Sequence, residues 1–370
     1  MDKQLEEKKE PQKINRQIRL LVIIILVCLV IIGPMTLWRQ SNTAKGYFMA
    51  GELFYRMKWY DMAEEAYHKA VELDTGYPKV HYKRGLVLHE MGFYGDAINE
   101  YKRELDVVPV YTDTNDNLAL IYANIGEAYY MNGASLASSG DETGSITMYN
   151  EALIACNKAL SLNASFLPAY SLLGKLHHTS GMLDEAVKDY SKILELSNDE
   201  GVLVEGYYRL GIIYASRGDN KMAIRHLKKA LEINTYFPPA LYEIGKIYQK
   251  EEALDSAINV WRKAVHYEPD FIEAHYELAN IYVRQGWYKD AQREYLVTIR
   301  LCEKVNNKRI TPLLSGAYAN LGTLYYYENG EKDKGINCWK KAVEIDSSNE
   351  RAKENIKKVS KSNGTEREKI

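Results

Sequence analysis

The sequence predicts an all-α protein, a solenoid of about eight helix–turn–helix repeats that follows one N-terminal apolar helix. Three observations predict this fold. Small residues recur at intervals of 34 to 48 residues, apolar residues between them follow helical spacing, and residues 20–38 contain no charged side chain. At 370 residues the chain is too long for one compact domain, but this length is natural for a repeat array.

The clearest repeat occupies residues 238–271. Its apolar and small residues follow the spacing of two short helices, and Pro269 closes the unit. Small residues let the two helices approach closely, and large side chains fill the space beside them. We expect seven residues to form the core of this repeat: Leu241, Ile244, Gly245, Tyr248, Ala257, Trp261 and Ala264.

The pattern of this repeat returns along most of the chain. The small residue of the first helix recurs as Gly51, Gly85, Gly126, Gly174, Gly211, Gly245, Ala279 and Gly322. The alanine of the second helix recurs as Ala63, Ala97, Ala152, Ala186, Ala223, Ala257 and Ala291, with Gly335 in the last unit. A period near 34 with this combination of small and aromatic residues resembles the tetratricopeptide repeat (TPR). The resemblance covers about residues 44–349 and implies a right-handed superhelical solenoid of eight repeats.

Insertions interrupt the period near residues 110–116, 134–147 and 302–310. The Gly/Ser-rich residues 134–147 predict a flexible loop between two helices, either a tolerated surface insertion or a functional loop. Four glycines fall where a first helix should end and predict left-handed caps: Gly92, Gly181, Gly218 and Gly286. Residues 350–370 predict a capping helix followed by a frayed tail from Ser360.

The apolar residues Leu20–Trp38 predict a transmembrane anchor. Nineteen helical residues at ~1.5 Å each span about 28 Å, close to the thickness of the bilayer hydrocarbon core. Arg19 and Arg39 bracket the stretch, and Trp38 suits the membrane interface. A cleaved signal peptide is the alternative, but no small-x-small cleavage site follows closely.

The charges beside this stretch predict its orientation. Six Lys or Arg residues precede it and four follow within a similar distance, which favours a cytoplasmic tail at residues 1–19. Residues 39–43 then form a short linker, and the repeats lie outside the cytoplasm. The combination resembles TPR proteins of the bacterial inner membrane.

The resemblance to TPR proteins implies that the first helices line a binding groove. The groove positions lie three residues before, one after and four after the recurring small residue. Tyr208, Tyr242 and Tyr276 share the first of these positions in three successive repeats and form a ladder. Such a ladder suits a protein or an extended peptide, because each tyrosine offers a flat apolar ring and one hydroxyl. The candidate groove residues are Tyr55, Tyr82, His89, Tyr130, Lys175, His178, Tyr208, Tyr242, Lys246, Gln249, Tyr276, Asn280 and Tyr326.

Several functions are disfavoured by the sequence. The net charge of −2 argues against nucleic-acid binding, which needs a basic face. The four cysteines form no CxxC pair, and the adjacent His177 and His178 point about 100° apart on a helix, so neither group predicts a metal site. No phosphate loop, GxSxG or HExxH motif occurs, and we expect neither an enzyme nor a cofactor.

These observations predict a membrane-anchored scaffold that mediates protein–protein interactions, as in the assembly or maturation of an envelope protein complex. The alternative is an adaptor that faces the cytoplasm and recruits a soluble enzyme to the membrane. The side on which the repeats lie distinguishes the two.

Overall fold

The computed structural model describes residues 43–107, 114–305 and 310–367 of the chain. Within these ranges the protein consists of α-helices, one π-helical segment and their connections, with no β-strand. The all-α prediction is confirmed.

The first of two compact units extends to residue 192. Its helices are α1 (Ala44–Arg56), α2 (Tyr60–Leu73), α3 (Val80–Glu90), α4 (Tyr94–Val107), α5 (Asn115–Ser138), α6 (Glu142–Leu162), α7 (Leu167–Thr179) and α8 (Leu183–Leu196), which ends beyond the unit. The odd-numbered members are the first helices of the repeats, and each packs against the second helix that follows it.

The second unit begins at residue 193. Its helices are α9 (Glu200–Ser216), α10 (Asn220–Ile233), α11 (Pro238–Lys250), α12 (Leu254–Tyr267), α13 (Ile272–Arg284), α14 (Tyr288–Lys304), α15 (Thr311–Thr323), α16 (Lys332–Ile345) and α17 (Glu350–Arg367). A π-helical segment, Leu324–Glu328, continues α15. Each first helix again packs against the following second helix, and α17 packs against α16.

The core of each pair lies where the small residue of the first helix meets a large side chain of the second. Trp261 of α12 is fully buried, and a Cβ added at Gly245 of α11 would lie 2.5 Å from its Cε2 atom. The indole Nε1 of Trp261 donates a hydrogen bond to the backbone oxygen of Tyr242 at 3.1 Å. Six of the seven expected core residues of this repeat are buried, and Tyr248 is half-buried.

The bond from the buried aromatic side chain to the first helix recurs in other repeats. Trp339 donates to the backbone oxygen of Ala319 at 3.1 Å, and the Tyr190 hydroxyl donates to that of Ser171 at 3.3 Å. Both acceptors lie three residues before the small residue, as Tyr242 does. A buried N–H or O–H without an acceptor would cost free energy, so this carbonyl allows a polar aromatic residue in the core.

The turns between paired helices contain the glycines that the sequence predicts. Gly92, Gly181, Gly218 and Gly286 have φ between 72° and 83°. Lys58 and Glu252 stand at the equivalent turns of their repeats with φ of 60°. The left-handed turn is therefore kept even where no glycine is present.

The predicted flexible loop at residues 134–147 is corrected by the structure. The extra residues lengthen α5 and α6, and only residues 139–141 connect the two helices. A Cβ added at Gly133, which directly precedes this segment, would lie 2.8 Å from Cε1 of Tyr149, so this glycine allows close packing of the two helices. Asp141 caps α6, since its Oδ1 accepts from Gly144 N at 2.9 Å. The residues of this segment therefore extend two helices instead of forming a long loop.

The terminal helix α17 covers the end of the last pair. Ala352 and Val359 are buried against Trp339 and Ala342 of α16. The backbone stays helical to Arg367, beyond the fraying that the sequence predicts from Ser360. No proline interrupts this segment, so the hydrogen-bond ladder of the helix continues.

The predicted anchor Leu20–Trp38, with the tail 1–19 and most of the linker 39–43, lies outside the described residues. Among the helices in the described ranges, none combines the length and the apolar character needed to cross a membrane. The other two predicted insertions are partly described: residues 108–113 and 306–309 are not.

Candidate functional site

The candidate site is the surface formed by the predicted groove positions of the first helices, which we call the first-helix face. It has one part in each compact unit. In both parts the predicted residues are half-buried, apart from the exposed Lys246. Their side chains are therefore held by neighbours while some of their atoms reach solvent.

In the first unit, ion pairs join neighbouring first helices. Lys83 of α3 lies 3.0 Å from the carboxylate of Glu52 of α1, which also accepts the hydroxyl of the buried Tyr67 at 2.5 Å. Lys175 of α7 lies 3.4 Å from Glu127 of α5. In each half-buried pair a glutamate carboxylate compensates the lysine charge, so the charges of the face in the first unit are largely balanced.

Three predicted residues of the first unit pack against aromatic rings of the following second helix in tilted or edge-to-face contacts. The ring centroids are 6.0 Å apart for Tyr55–Tyr60, 5.3 Å for His89–Tyr94 and 5.6 Å for Tyr130–Tyr149. Burial lowers the pKa of His89 below its usual value, which favours the neutral imidazole. Packing within each repeat accounts for these three rings.

Tyr82 and His178 complete the predicted set in the first unit. The Tyr82 hydroxyl accepts a hydrogen bond from Asn124 of α5 at 2.9 Å, and burial raises the pKa of Tyr82. His178 is half-buried near the end of α7. Its neighbour His177 lies with Nδ1 2.6 Å from Oδ2 of Asp189, in a pairing between the helices of one repeat.

In the second unit, the tyrosine ladder lies along three successive first helices. The Tyr208 ring is perpendicular to Phe237 at 5.3 Å between centroids, and the Tyr242 ring lies 5.3 Å from Phe271. Both phenylalanines immediately precede the next first helix. Each ring is thus fixed by the start of the next repeat, which gives Tyr208 and Tyr242 the same setting.

The ladder tyrosines keep their protons. Burial raises the pKa of Tyr208, Tyr242 and Tyr276, and neighbouring carboxylates add to the effect. Tyr276 lies under α15, where a Cβ added at Gly316 would lie 2.7 Å from its hydroxyl oxygen. These residues present neutral O–H groups beside fixed rings.

Lys246 adds a cation to this part of the face. Its Nζ lies 5.5 Å from the centroid of the Tyr242 ring and 3.0 Å from Oε2 of Glu243. The lysine is exposed, and such a surface pair is worth at most about 1 kcal/mol. An acidic group of a ligand can therefore replace Glu243 as the partner of Lys246 at little cost in free energy.

A polar network joins four helices of the second unit. Gln249 of α11 and Asn280 of α13 both donate to Glu277 Oε2 at 3.4 Å. Asn320 of α15 donates to Asn280 Oδ1 at 3.1 Å, and Arg351 of α17 donates to Asn320 Oδ1 at 2.8 Å. The predicted residues Gln249 and Asn280 are thus linked, and the network extends to a helix that the sequence assigned only a capping role.

Tyr326 stands four residues after Gly322, at the predicted position, but the backbone there is not α-helical. It falls in the π-helical segment that follows Thr323, where the rotation per residue differs from that of an α-helix. Its ring packs against Trp339 with centroids 5.1 Å apart, and Nζ of Lys332 lies 5.9 Å from the ring centroid. Tyr326 thus contacts the second helix of its own repeat, as Tyr55, His89 and Tyr130 do.

Sequence reasoning missed two buried histidine–glutamate pairs. His81 Nδ1 lies 2.6 Å from Glu100 Oε2 and Nε2 lies 3.2 Å from Thr75 O, while His275 repeats this arrangement with Glu294 (2.6 Å) and Pro269 O (3.1 Å). In each pair, both ring nitrogens of the histidine therefore lie within hydrogen-bond distance of an acceptor. One sequence pattern could have predicted these pairs. It consists of a histidine four residues before the small residue and a glutamate three residues after the second-helix alanine. These pairs are structural.

The first-helix face combines several kinds of chemical group. It offers aromatic rings, neutral hydroxyls, amides and a few charged groups. In the described part of the chain, no group of three His, Cys, Asp or Glu side chains is placed to hold a metal ion.

Three sequence-family comparisons match parts of the chain. A family described as "TPR repeat" matches residues 250–286, one described as "Tetratricopeptide repeat" matches 165–235, and another of that description matches 44–77 and 315–349. The TPR repeats that the sequence predicts are confirmed in these segments. TPR proteins generally use such repeats to bind other proteins.

The solved structures similar to this chain include two described as TPR proteins and one named MamA. The C-terminal part of a TPR repeat-containing protein from Cytophaga hutchinsonii has 18% identity and a TM-score of 0.48, covering 74% of this chain and 98% of that one. YrrB, described as a TPR protein with an unusual peptide-binding site, has 23% identity and a TM-score of 0.38, covering 56% and 94%. MamA has 25% identity and a TM-score of 0.37, covering 46% and 95%. No curated protein sequence matches the chain.

Proposed function

We propose that the chain is a non-enzymatic scaffold that binds an extended segment of a partner protein on the first-helix face of the second unit. The observation that carries this proposal is the tyrosine ladder, Tyr208, Tyr242 and Tyr276, at equivalent positions of three successive first helices. An extended segment has side chains at regular intervals, and a ladder of equivalent rings offers a regular series of contacts.

The setting of the ladder supports recognition. Phe237 and Phe271 fix the rings of Tyr208 and Tyr242, so little side-chain entropy is lost when a ligand covers them. Tyrosine is enriched at interfaces because one ring supplies both apolar area and a hydroxyl. The raised pKa of each hydroxyl keeps it a hydrogen-bond donor.

The polar network supports binding of a main chain beside the rings. An extended peptide exposes one N–H and one C=O per residue, and these need partners when they leave water. Gln249, Asn280 and Asn320 carry amides that both donate and accept, and they lie on three successive first helices. Two of the four bonds in the network measure 3.4 Å and are long, so they exchange readily for bonds to a ligand.

A display library of short random peptides tests the proposal on the full-length chain. We expect the enriched peptides to lose most of their affinity when Tyr208, Tyr242 and Tyr276 are all replaced by Ala. Replacement of the three residues by Phe keeps the rings and should cause a smaller loss. Circular dichroism and thermal unfolding of each variant show whether the solenoid is retained.

Tyr236→Ala is the matched control, because Tyr236 is 72% exposed and lies before α11, outside the first-helix face. Its loss should leave the binding of the enriched peptides unchanged. Equal binding to the wild type and to the folded triple Ala variant would refute the proposal.

The proposal includes attachment to a membrane through Leu20–Trp38, with the repeats outside the cytoplasm, in the assembly or maturation of an envelope protein complex. The support is the uncharged 19-residue stretch and the excess of basic residues before it. Membrane fractionation and a topology reporter fused to the C-terminus test this part. A cytoplasmic C-terminus would instead support an adaptor that recruits a soluble enzyme, and recovery in the soluble fraction would refute the anchor.

A further inference from the structure

The terminal helix α17 contributes a charged side chain to the first-helix face. Arg351 stands in its first turn, and its guanidinium donates to Asn320 Oδ1 of α15 at 2.8 Å. No carboxylate of the described residues lies within 4.0 Å of this guanidinium. Arg351 thus reaches the face as a cation whose partner is a neutral amide.

A pocket of about 350 Å³ opens beside this side chain. Arg351 and Arg284 line it together with Asn280, Asn320, Tyr276 and Tyr295, and no Asp or Glu is among the lining residues. The pocket therefore holds two positive charges, two amides and two phenol groups. This composition favours an anion.

The second guanidinium has one carboxylate partner, which lies at the surface. Arg284 pairs with Glu252, but these side chains are 41% and 72% exposed, and a surface pair of this kind contributes little. The nearest carboxylate of the polar network is Glu277, which lies outside the lining and accepts hydrogen bonds from the amides of Gln249 and Asn280. A ligand in the pocket therefore lies beside two guanidinium groups and no carboxylate of the lining.

We propose that this pocket binds an oxyanion, a carboxylate or a phosphoryl group, carried by a side chain of the partner segment. The inference rests on the proposed binding of an extended segment along the tyrosine ladder. Two oxygens of such a group match the parallel N–H bonds of a guanidinium. Tyr276 belongs both to the ladder and to the pocket lining, so a segment on the ladder can reach the pocket directly.

Three immobilised peptide sets test the inference on the full-length chain. The sets share a random sequence and differ at one fixed position, which is Glu, phosphoserine or Gln. We expect binding to the Glu or the phosphoserine set to exceed binding to the Gln set by about five- to tenfold, less at high salt. A higher signal for Glu assigns a carboxylate ligand, and a higher signal for phosphoserine assigns a phosphoryl ligand.

Arg351→Gln should remove this preference, and Arg351→Lys, which keeps the charge without the planar fork, should retain part of it. Lys353→Gln is the control, because it removes one positive charge from the same helix at a residue paired with Glu350 at 2.8 Å. Thermal unfolding shows whether α17 remains docked in each variant.

The outcomes separate this inference from the proposed function. Binding of all three sets without a preference, or a preference that survives Arg351→Gln, overturns the oxyanion pocket while the scaffold function stands. An equal loss in Lys353→Gln also overturns it, because the effect is then one of overall charge. Failure to bind any set contradicts both.

Discussion

Gly245→Ala is the sharpest test of the packing between paired helices. The new Cβ would lie 2.5 Å from Cε2 of Trp261, well inside van der Waals contact. Trp261 is fully buried and its Nε1 is held by the Tyr242 carbonyl at 3.1 Å, so the ring has no free direction in which to move. The helices must separate or the hydrogen bond must break.

The expected loss of stability follows from three contributions. Overpacking of a buried site costs about 1–3 kcal/mol. Loss of the indole hydrogen bond costs about 0.5–1.5 kcal/mol. Alanine regains about 1 kcal/mol of helix propensity relative to glycine. The net expectation is a destabilisation of about 2 kcal/mol within α11 and α12.

Native-state hydrogen exchange measures this loss of stability residue by residue. The method suits a repeat protein, because the global unfolding of such a protein is not a single transition. We expect amides of residues 238–267 to lose about 30-fold in protection, while those of residues 44–73 remain unchanged. Gly95→Ala is the control, because a Cβ there would meet nothing within 4 Å and should not destabilise α4. Protection of residues 238–267 within threefold of the wild type would refute the packing argument.

A second substitution should rescue the first. The next repeat has Ala279 at the position of Gly245 and Tyr295 at the position of Trp261, and both are buried in one cluster. Gly245→Ala combined with Trp261→Tyr reproduces this combination and should recover most of the lost protection. No recovery would mean that the collision with the indole ring is not the cause.

Three further predictions concern single side chains. Burial alone would raise the pKa of Glu100, but His81 and nearby arginines lower it overall, so the stabilisation that Glu100 provides is complete above the ordinary pKa of a glutamate and is lost as the pH falls through the lowered pKa. Urea unfolding of Glu100→Gln and of the wild type should therefore show a difference in stability that shrinks with acid. Burial raises the pKa of the Cys156 thiol to about 12, so in native protein it should react with thiol reagents far more slowly than half-buried Cys338, as peptide mass spectrometry would show. Gly181→Ala should cost about 1 kcal/mol by thermal unfolding, because φ is 75° there.

Periodicity was sufficient to place the core of the repeats. Ile244, Ala257 and Trp261 are buried as their spacing predicts, since one helix face must meet the next helix whatever lies elsewhere. Composition was misleading at residues 134–147, where glycine and serine indicate a loop in isolation. Most of these residues are helical, and the two helices pack closely where Gly133 faces the ring of Tyr149, a contact that local composition does not reveal.

The polar side chains of the site were less predictable. Spacing gives the face on which Asn280 lies but does not reveal that its Oδ1 accepts from the buried Tyr295 at 2.7 Å. Arg351 carries no periodic signal, because α17 has no second helix to complete a repeat. Tyr326 shows another limit, since the spacing of the sequence does not reveal the π-helical segment in which this residue lies.

The long hairpin of α5 and α6 restricts where a large partner can lie on the first unit. Helix α5 continues to Ser138, seven residues further past its small residue than α3, so the hairpin projects about 10 Å beyond the neighbouring turns. The turn between α3 and α4 carries the exposed Phe93, and that between α7 and α8 carries the exposed Met182. The hairpin projects between these two turns. A rigid partner protein that spans more than one repeat would therefore collide with the hairpin before it could contact both apolar side chains.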